Sequence, residues 1–296
     1  MSWMKSDYRQ ATSKLASELV VNRIKQRLGL RPKDIIFAIQ EKYNIVIGYQ
    51  KAWRTKEIAI DCVMGSYEDS YKELTMYLHE LRMANPGKVT TLLVNKQTMR
   101  FERCFVALGQ CVKSFQTSLQ RVLTVDGTHL KDKYKGVLFV TTALDGDNHI
   151  FPVTFGIRES KNNSSWNWFL TYINDSLGDC PGLVIISDRH KGLMKKVPQV
   201  FQTAIHRYCM YHIYRNLVDT FKDKSLEIYY WQAAKTYRKA KFEKLMHDIE
   251  HANPPVHAWL REIGYEKWTS SYFSGKRFNL VTTNIAECVI ALFNEA

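Results

Sequence analysis

Residues 121–131 read RVLTVDGTHLK, and residues 183–191 read LVIISDRHK. In each, a short apolar run rich in β-branched residues ends at an aspartate, Asp126 and Asp188. Such runs read as buried strands, because a strand covered on both faces needs apolar side chains at successive positions. Two carboxylates at neighbouring strand ends would meet at one edge of a sheet. A third acid, Glu287, lies in TTNIAECVIAL, whose apolar spacing is helical. Carboxylates from two strand ends and a facing helix can hold divalent cations for phosphodiester chemistry.

The segments between these acids give the sheet its partners. GVLFVTTALDG and HIFPVTFGI flank Asp145-Gly146-Asp147-Asn148, which carries hairpin turn chemistry. Phe151, Val153, Phe155 and Ile157 alternate with their neighbours, so one buried face is expected of that strand. SSWNWFLTYINDSLG follows as an amphipathic helix, with Ser164 or Ser165 as its cap and Trp166 and Trp168 in its apolar pattern. After Asp188 a helical stretch leads into AIHRYCMYHIYRNL. VTTLLVN and MRFERCFVAL, upstream, read as two strands or a strand and a helix. The order implies an α/β protein with a mixed sheet covered by helices.

The flanks are helical. TSKLASELVVNRIKQRL, RPKDIIFAIQEKYN, YQKAWRTKEIAIDCVMG and SYEDSYKELTMYLHELRMANPG form four segments, the last stopped by Asn85-Pro86-Gly87. The expected divisions are a helical segment at 1–88, the core at 89–214, a helical insertion at 215–275, and the end of the core at 276–296. Trp268, in EKWTSSYF, lies outside an obvious core pattern and is a candidate for stacking on an unpaired base.

Charge points to the substrate. The 296 residues carry a net charge of +13, which suits a polyanionic partner. Residues 1–60 hold 12 Lys/Arg against 5 Asp/Glu. Lys51, Arg54 and Lys56 mark the third helix of that segment, which reads either as a helix-turn-helix DNA contact or as a packing domain with a solvated face. Lys131, Lys133, Lys135, Arg189 and Lys191 flank the two aspartates and suit a DNA backbone. Six scattered cysteines without a CxxC pair fit a reducing compartment. No apolar run is long enough for a transmembrane helix, so no membrane partner is expected.

Several side chains near the acids invite supporting roles. His129 and His190 follow the two aspartates closely and are candidates to contact phosphate or a leaving group. Cys209 and His212 form a CxxH that is half a zinc site; a structural role beside the acids is the preferred reading, and zinc is not expected. Each acid also has a plainer reading. Asp-Gly commonly makes turns, and Glu287 falls in a helix's first turn, where a negative charge is favourable on its own.

A family resemblance weighs between these readings. VDGTHLKDKYKGVLFVTTALDGDNHIFPVTFGIRESKNNSSWNWFL resembles the core of the plant Mutator-like element (MULE) transposases. ISDRHKGL, HRYCMYHIYRNL and RFNLVTTNIAE resemble further blocks of that family in the same order, and ATSKLASELV, RPKDIIFAIQEKYN and YQKAWRTKEIA resemble the helical segment before it. The resemblance implies a ribonuclease H-like core with a DDE triad, here Asp126, Asp188 and Glu287, holding two Mg²⁺ or Mn²⁺ ions. It assigns Cys209 and His212 to a family signature, and residues 215–275 to the family's insertion. Double-stranded DNA, as element ends and target, would be the partner, in the nucleus, with a homo-oligomer on the DNA allowed. The alternative is a domesticated, non-catalytic DNA-binding regulator. Members usually continue past the third acid, often to a SWIM-type zinc finger, so a chain ending at Ala296 is expected to be a truncated copy.

Overall fold

The structure is a computed structural model that describes residues 12–26, 30–64, 67–85, 89–95, 97, 101–130, 136–178, 180–273, 275, 280 and 282–295. The chain divides into two compact units, residues 1–80 with 295–296, and residues 81–294. The expected DNA contacts Lys131 and Lys135, with Lys133, lie outside the described residues.

In the first unit, α1 (Ser13–Gln26), α2 (Pro32–Tyr43) and α3 (Tyr49–Met64) enclose a small core of Ala16, Val20, Ile24, Ile35, Ile39, Ile47, Ala52 and Ala59. Pro32 opens α2, where its missing N–H costs nothing, and the Arg31 N–H donates to Asp34 Oδ2 at 2.9 Å. Asn44 ends the helix in the left-handed conformation, φ 53°. Arg54 is exposed on α3, and Lys51 and Lys56 are half-buried. Helix α4 (Tyr67–Ala84) spans the division.

The second unit is built on a seven-stranded mixed sheet. Its strands are β1 (Val89–Val94), β2 (Phe101–Ala107), β3 (Val122–His129), β4 (Val137–Leu144), β5 (Ile150–Arg158), β6 (Val184–Ser187) and β7 (Ile205–Tyr208), in spatial order β1-β2-β5-β4-β3-β6-β7. β3, β6 and β7 run parallel; the other pairings are antiparallel. Helices α5 (Gly109–Thr117), α6 (Asn163–Leu177) and α7 (Lys191–Val200) connect them. The whole is a mixed α/β fold with helices flanking the sheet, compatible with the ribonuclease H-like arrangement.

Alternation along the strands sorts the two faces. Leu123, Val125, Val137 and Phe139 join Trp166, Trp168, Phe169 and Phe105 in the main core. Leu138 and Val140 point the other way, against Val289 and Ile290 of α13 (Asn284–Glu295). Phe293 adds an edge contact to Phe155, centroids 5.1 Å apart.

Between β7 and the last helix, α8 (Met210–Phe221), α9 (Glu227–Lys235), α10 (Lys239–Ala252), α11 (Pro254–Ile263) and α12 (Tyr265–Trp268) close around their own core. Trp268 belongs to that core. It is fully buried and stacked on Tyr230, centroids 5.3 Å apart and 7° between planes. It is therefore not a free stacking platform.

Four local expectations need correction. Asp126 does not end its strand: β3 continues to His129, because β4 keeps pairing beyond the point where β6 stops. Residues 205–208, for which no strand was expected, form β7. The cap of α6 is Asn162, whose side chain accepts from the Ser165 N–H at 2.9 Å. Finally, β5 does not keep one apolar face. Thr141 pairs with Thr154 but Thr142 with Pro152, so Val153 is the extra residue of a bulge. Phe151 and Val153 consequently pack in the main core, while Phe155 and Ile157 face α13. The flip brings Gly156 under Phe169, where an added Cβ would lie 2.8 Å from the ring.

Candidate functional site

Asp126 shares its face of β3 with Val122 and Thr124, opposite Leu123 and Val125. That face carries α13 and the start of α8. Glu287, in the first turn of α13, and His212, in the first turn of α8, converge on Asp126 there. One ligand atom from each of Asp126, His212 and Glu287 lies within 4.8 Å of the other two. The His212 Nε2 to Glu287 Oε1 distance is 3.7 Å.

Asp188 approaches from the next strand. β3 and β6 are adjacent and parallel, with Val125 opposite Ser187, so Asp188 follows β6 beside Asp126. Its Oδ1 accepts from the His190 N–H at 2.9 Å, closing a turn into α7. Its other oxygen faces Lys161. The Lys161 ammonium donates to Asp188 Oδ2 at 3.3 Å and to the Gly127 carbonyl at 2.7 Å, and lies 3.9 Å from Asp126 Oδ1. The two aspartates thus share one ammonium, whereas Glu287 and His212 gather at Asp126.

Sequence reading did not find Lys161. It sits in the loop before α6, with no local motif; only the fold brings it to residues 126 and 188.

The CxxH is resolved into two roles. Cys209 is buried, and its Sγ accepts from the Thr283 N–H at 3.3 Å and from the Thr283 hydroxyl at 3.4 Å. That contact fixes the residue just before α13, hence the position of Glu287. His212 instead turns its Nδ1 toward the Thr283 hydroxyl, 3.3 Å away, and its Nε2 toward Glu287. An HxxxH spacing is also present in the insertion: His247 and His251 on α10 have their Nε2 atoms 3.0 Å apart. It lies in the insertion's exposed helices, outside the acid cluster.

The remaining candidates are distributed more widely. His129 is exposed and, by alternation, lies on the face of β3 opposite Asp126. His190 caps α7, with Nδ1 accepting from the Gly192 N–H at 3.0 Å. Arg189 packs its guanidinium over Trp259, 5.2 Å from the ring centre. Arg189, His190 and the exposed Lys191 line an open groove of about 700 Å³ with Asn162, Asn163 and Ser164.

Burial sets the electrostatics. It pushes the Asp126 carboxyl up to about 6, against the lowering pull of Lys161 and the Gly127 N–H; Asp188 adds to the rise. For His212, burial alone would lower the imidazole. Cys209, Asp126 and Asp188 outweigh it and hold the ring above its usual value. Burial likewise raises the Cys209 thiol, but the hydrogen bond and charge of His212 prevail and lower it. Desolvation lowers His190, and it takes buried His206, bonded to Ser187 Oγ at 2.9 Å, down to about 4.

A divalent cation fits this donor set. A buried carboxylate, a second carboxylate and an imidazole converge, and burial makes the ionised Asp126 costly unless positive charge stands beside it. Carboxylate oxygens suit Mg²⁺ or Mn²⁺, and the imidazole nitrogen favours the latter.

Comparison with known proteins gives this geometry a context. Residues 122–216 match the MULE transposase domain family. That segment contains Asp126, Lys161, Asp188, Cys209 and His212, and excludes Glu287. The chain is 26% identical over 136 residues to the transposase for insertion sequence element IS256 in transposon Tn4001 of Staphylococcus aureus, covering 44% of this chain and 32% of the relative. It is 24% identical over 173 residues to the transposase for insertion sequence element IS905 of Lactococcus lactis subsp. lactis (strain IL1403), covering 51% and 44%. The chain thus spans less than half the length of these curated relatives. Among the described residues no helix is long and apolar enough to cross a membrane.

Proposed function

We propose that this chain is the catalytic portion of a Mutator-like DNA transposase with a DDE-type site. The observation that carries the reading is the convergence of Asp126, His212 and Glu287 on one sheet face, with Asp188 just past the end of the adjoining parallel strand. The match of residues 122–216 to the MULE transposase domain supports it independently.

In this reading Asp126, Glu287 and His212 hold a divalent cation. Bound there, the cation supplies Lewis-acid activation of water and stabilises the leaving 3′ oxygen. Asp188 orients the turn into α7 and holds the Lys161 ammonium. Cys209 acts through Thr283, setting where α13 starts and so where Glu287 points. The groove lined by Arg189 and Lys191 receives the DNA backbone through phosphate contacts. The basic first unit, with Arg54 exposed on α3, adds sequence-independent affinity for double-stranded DNA. This reading takes the work to be nuclear, an expectation that rests on the plant-type resemblance alone.

The test is nicking of plasmid DNA carrying Mutator-type terminal inverted repeats, with Mg²⁺ or Mn²⁺. Wild-type protein should nick it. Asp126→Asn should lose nicking and keep DNA binding in a gel shift. Undiminished nicking by Asp126→Asn would sink the assignment. Binding without nicking, by wild type as well as variant, would favour a DNA-binding protein that has lost catalysis.

A further inference from the structure

The Lys161 ammonium lies between the carboxylates of Asp126 and Asp188. Two carboxylates that share a charge are normally bridged either by a metal or by a basic side chain, and here the bridge is an ammonium. Its Nζ donates to the Gly127 carbonyl at 2.7 Å and to Asp188 Oδ2 at 3.3 Å, and lies 3.9 Å from Asp126 Oδ1. It also lies 5.5 Å from the Trp166 ring centre, and only 16% of its side chain is exposed. A surface lysine samples many rotamers; this one is held on four sides.

The loop that carries it is equally fixed. Ser165 Oγ donates to the Ser160 carbonyl, Asn162 Nδ2 donates to Ser160 Oγ at 2.8 Å, and the Ser165 N–H donates to Asn162 Oδ1 at 2.9 Å. Lys161 is thus anchored at the start of α6 while its head reaches across the ends of β3 and β6. Trp166, buried in the main core on that same helix, ties the arrangement to the rigid part of the sheet.

We infer that the site takes one divalent cation rather than two: the ion binds at Asp126, His212 and Glu287, and the Lys161 ammonium permanently serves the second position, between Asp126 and Asp188. This inference rests on reading Asp126, His212 and Glu287 as cation donors. The chemical sense is charge balance. An ammonium supplies a single positive charge and hydrogen-bond donors without needing a coordination shell. It also repels a dication entering the same space. Asp188 then acts through Lys161 in the resident site and is not a ligand of the ion. Lys161 is a positioning residue by this account, and it reaches the reaction only by holding the carboxylates.

The test counts ions. Mn²⁺ is titrated into the full chain, and free Mn²⁺ is followed by electron paramagnetic resonance. Wild type should bind one ion with Asp126, and Asp126→Asn should abolish that binding. Lys161→Met removes the ammonium with little change in length and should raise the count to two. Lys161→Arg keeps a cation and should leave the count at one; thermal melting checks that both variants are folded. Two ions on wild type, or an unchanged single ion on folded Lys161→Met, would overturn the inference and leave the Asp126–His212–Glu287 site standing. No Mn²⁺ bound by wild type would overturn the cation site itself, and the inference with it. If Lys161→Met does not fold, two ions on Lys161→Ser decide for the inference and one decides against it.

Discussion

The two faces of β3 do opposite work. On one, Leu123 and Val125 sit with Phe139 of the neighbouring strand beneath Trp166 and Phe169, with no polar partner required. On the other, Thr124 bonds to Thr142, Asp126 faces His212 and Glu287, and polar groups must satisfy one another. The apolar face fixes the strand; the polar face uses the position so fixed. A site whose atoms must sit within a fraction of an ångström needs a neighbour that cannot move, and close-packed aromatics provide it.

Substitutions should separate the faces. Trp166→Ala empties a fully buried aromatic site touching Phe139 and should cost about 3–5 kcal/mol, read as a fall in the denaturant midpoint. If the loss were under about 1 kcal/mol, the apolar face would not be what holds β3.

The polar face should show itself through pH. Asp126 is raised to about 6 from its ordinary 3.8. Its folded form binds the proton more tightly than the unfolded chain, so stability falls as pH rises from about 4 to about 6. Above that the carboxylate is ionised in both states and the cost is complete. The expected difference is about 3 kcal/mol without metal. Asp126→Asn should remove this slope, and divalent cation should reduce it in wild type. Equal pH profiles for wild type and Asp126→Asn would contradict the burial account.

The bulge in β5 gives a smaller effect. Gly156→Ala should cost about 1–3 kcal/mol, because the methyl meets Phe169 and the ring must shift. Smallest of all is Glu287→Gln. It removes charge from a half-exposed first-turn residue and should change stability by less than about 0.5 kcal/mol in thermal melts, while abolishing nicking. Loss of fold in Glu287→Gln would make the residue a structural cap instead.

What was legible in the sequence follows the same division. The apolar runs before Asp126 and Asp188 marked adjacent strands, because a buried strand leaves a composition signal in four or five consecutive residues. Trp166 and Trp168 were legible as core for the same reason. β7 was not, since His206 and Arg207 are polar residues buried by partners far along the chain. The bulge escaped because Phe151, Val153, Phe155 and Ile157 alternate perfectly in sequence, and nothing local records that β4 skips Val153. Trp268 was misread because its partners, Tyr230 and Phe242, belong to other helices. Lys161 was missed because its meaning comes from residues 34 and 27 positions away in the chain. CxxH was legible as a supporting pair beside the acids, but not its division of labour: Cys209 bonds to Thr283, and His212 reaches both Thr283 and Glu287.

The central claim is that Asp126, His212 and Glu287 form one cation site on the polar face of β3. Anomalous scattering from a crystal of the protein soaked in Mn²⁺ tests it most directly. The account predicts a peak within coordinating distance of all three side chains, with Lys161 still between Asp126 and Asp188. A peak at Asp126 and Asp188 with Lys161 displaced, or none near Asp126, would contradict it.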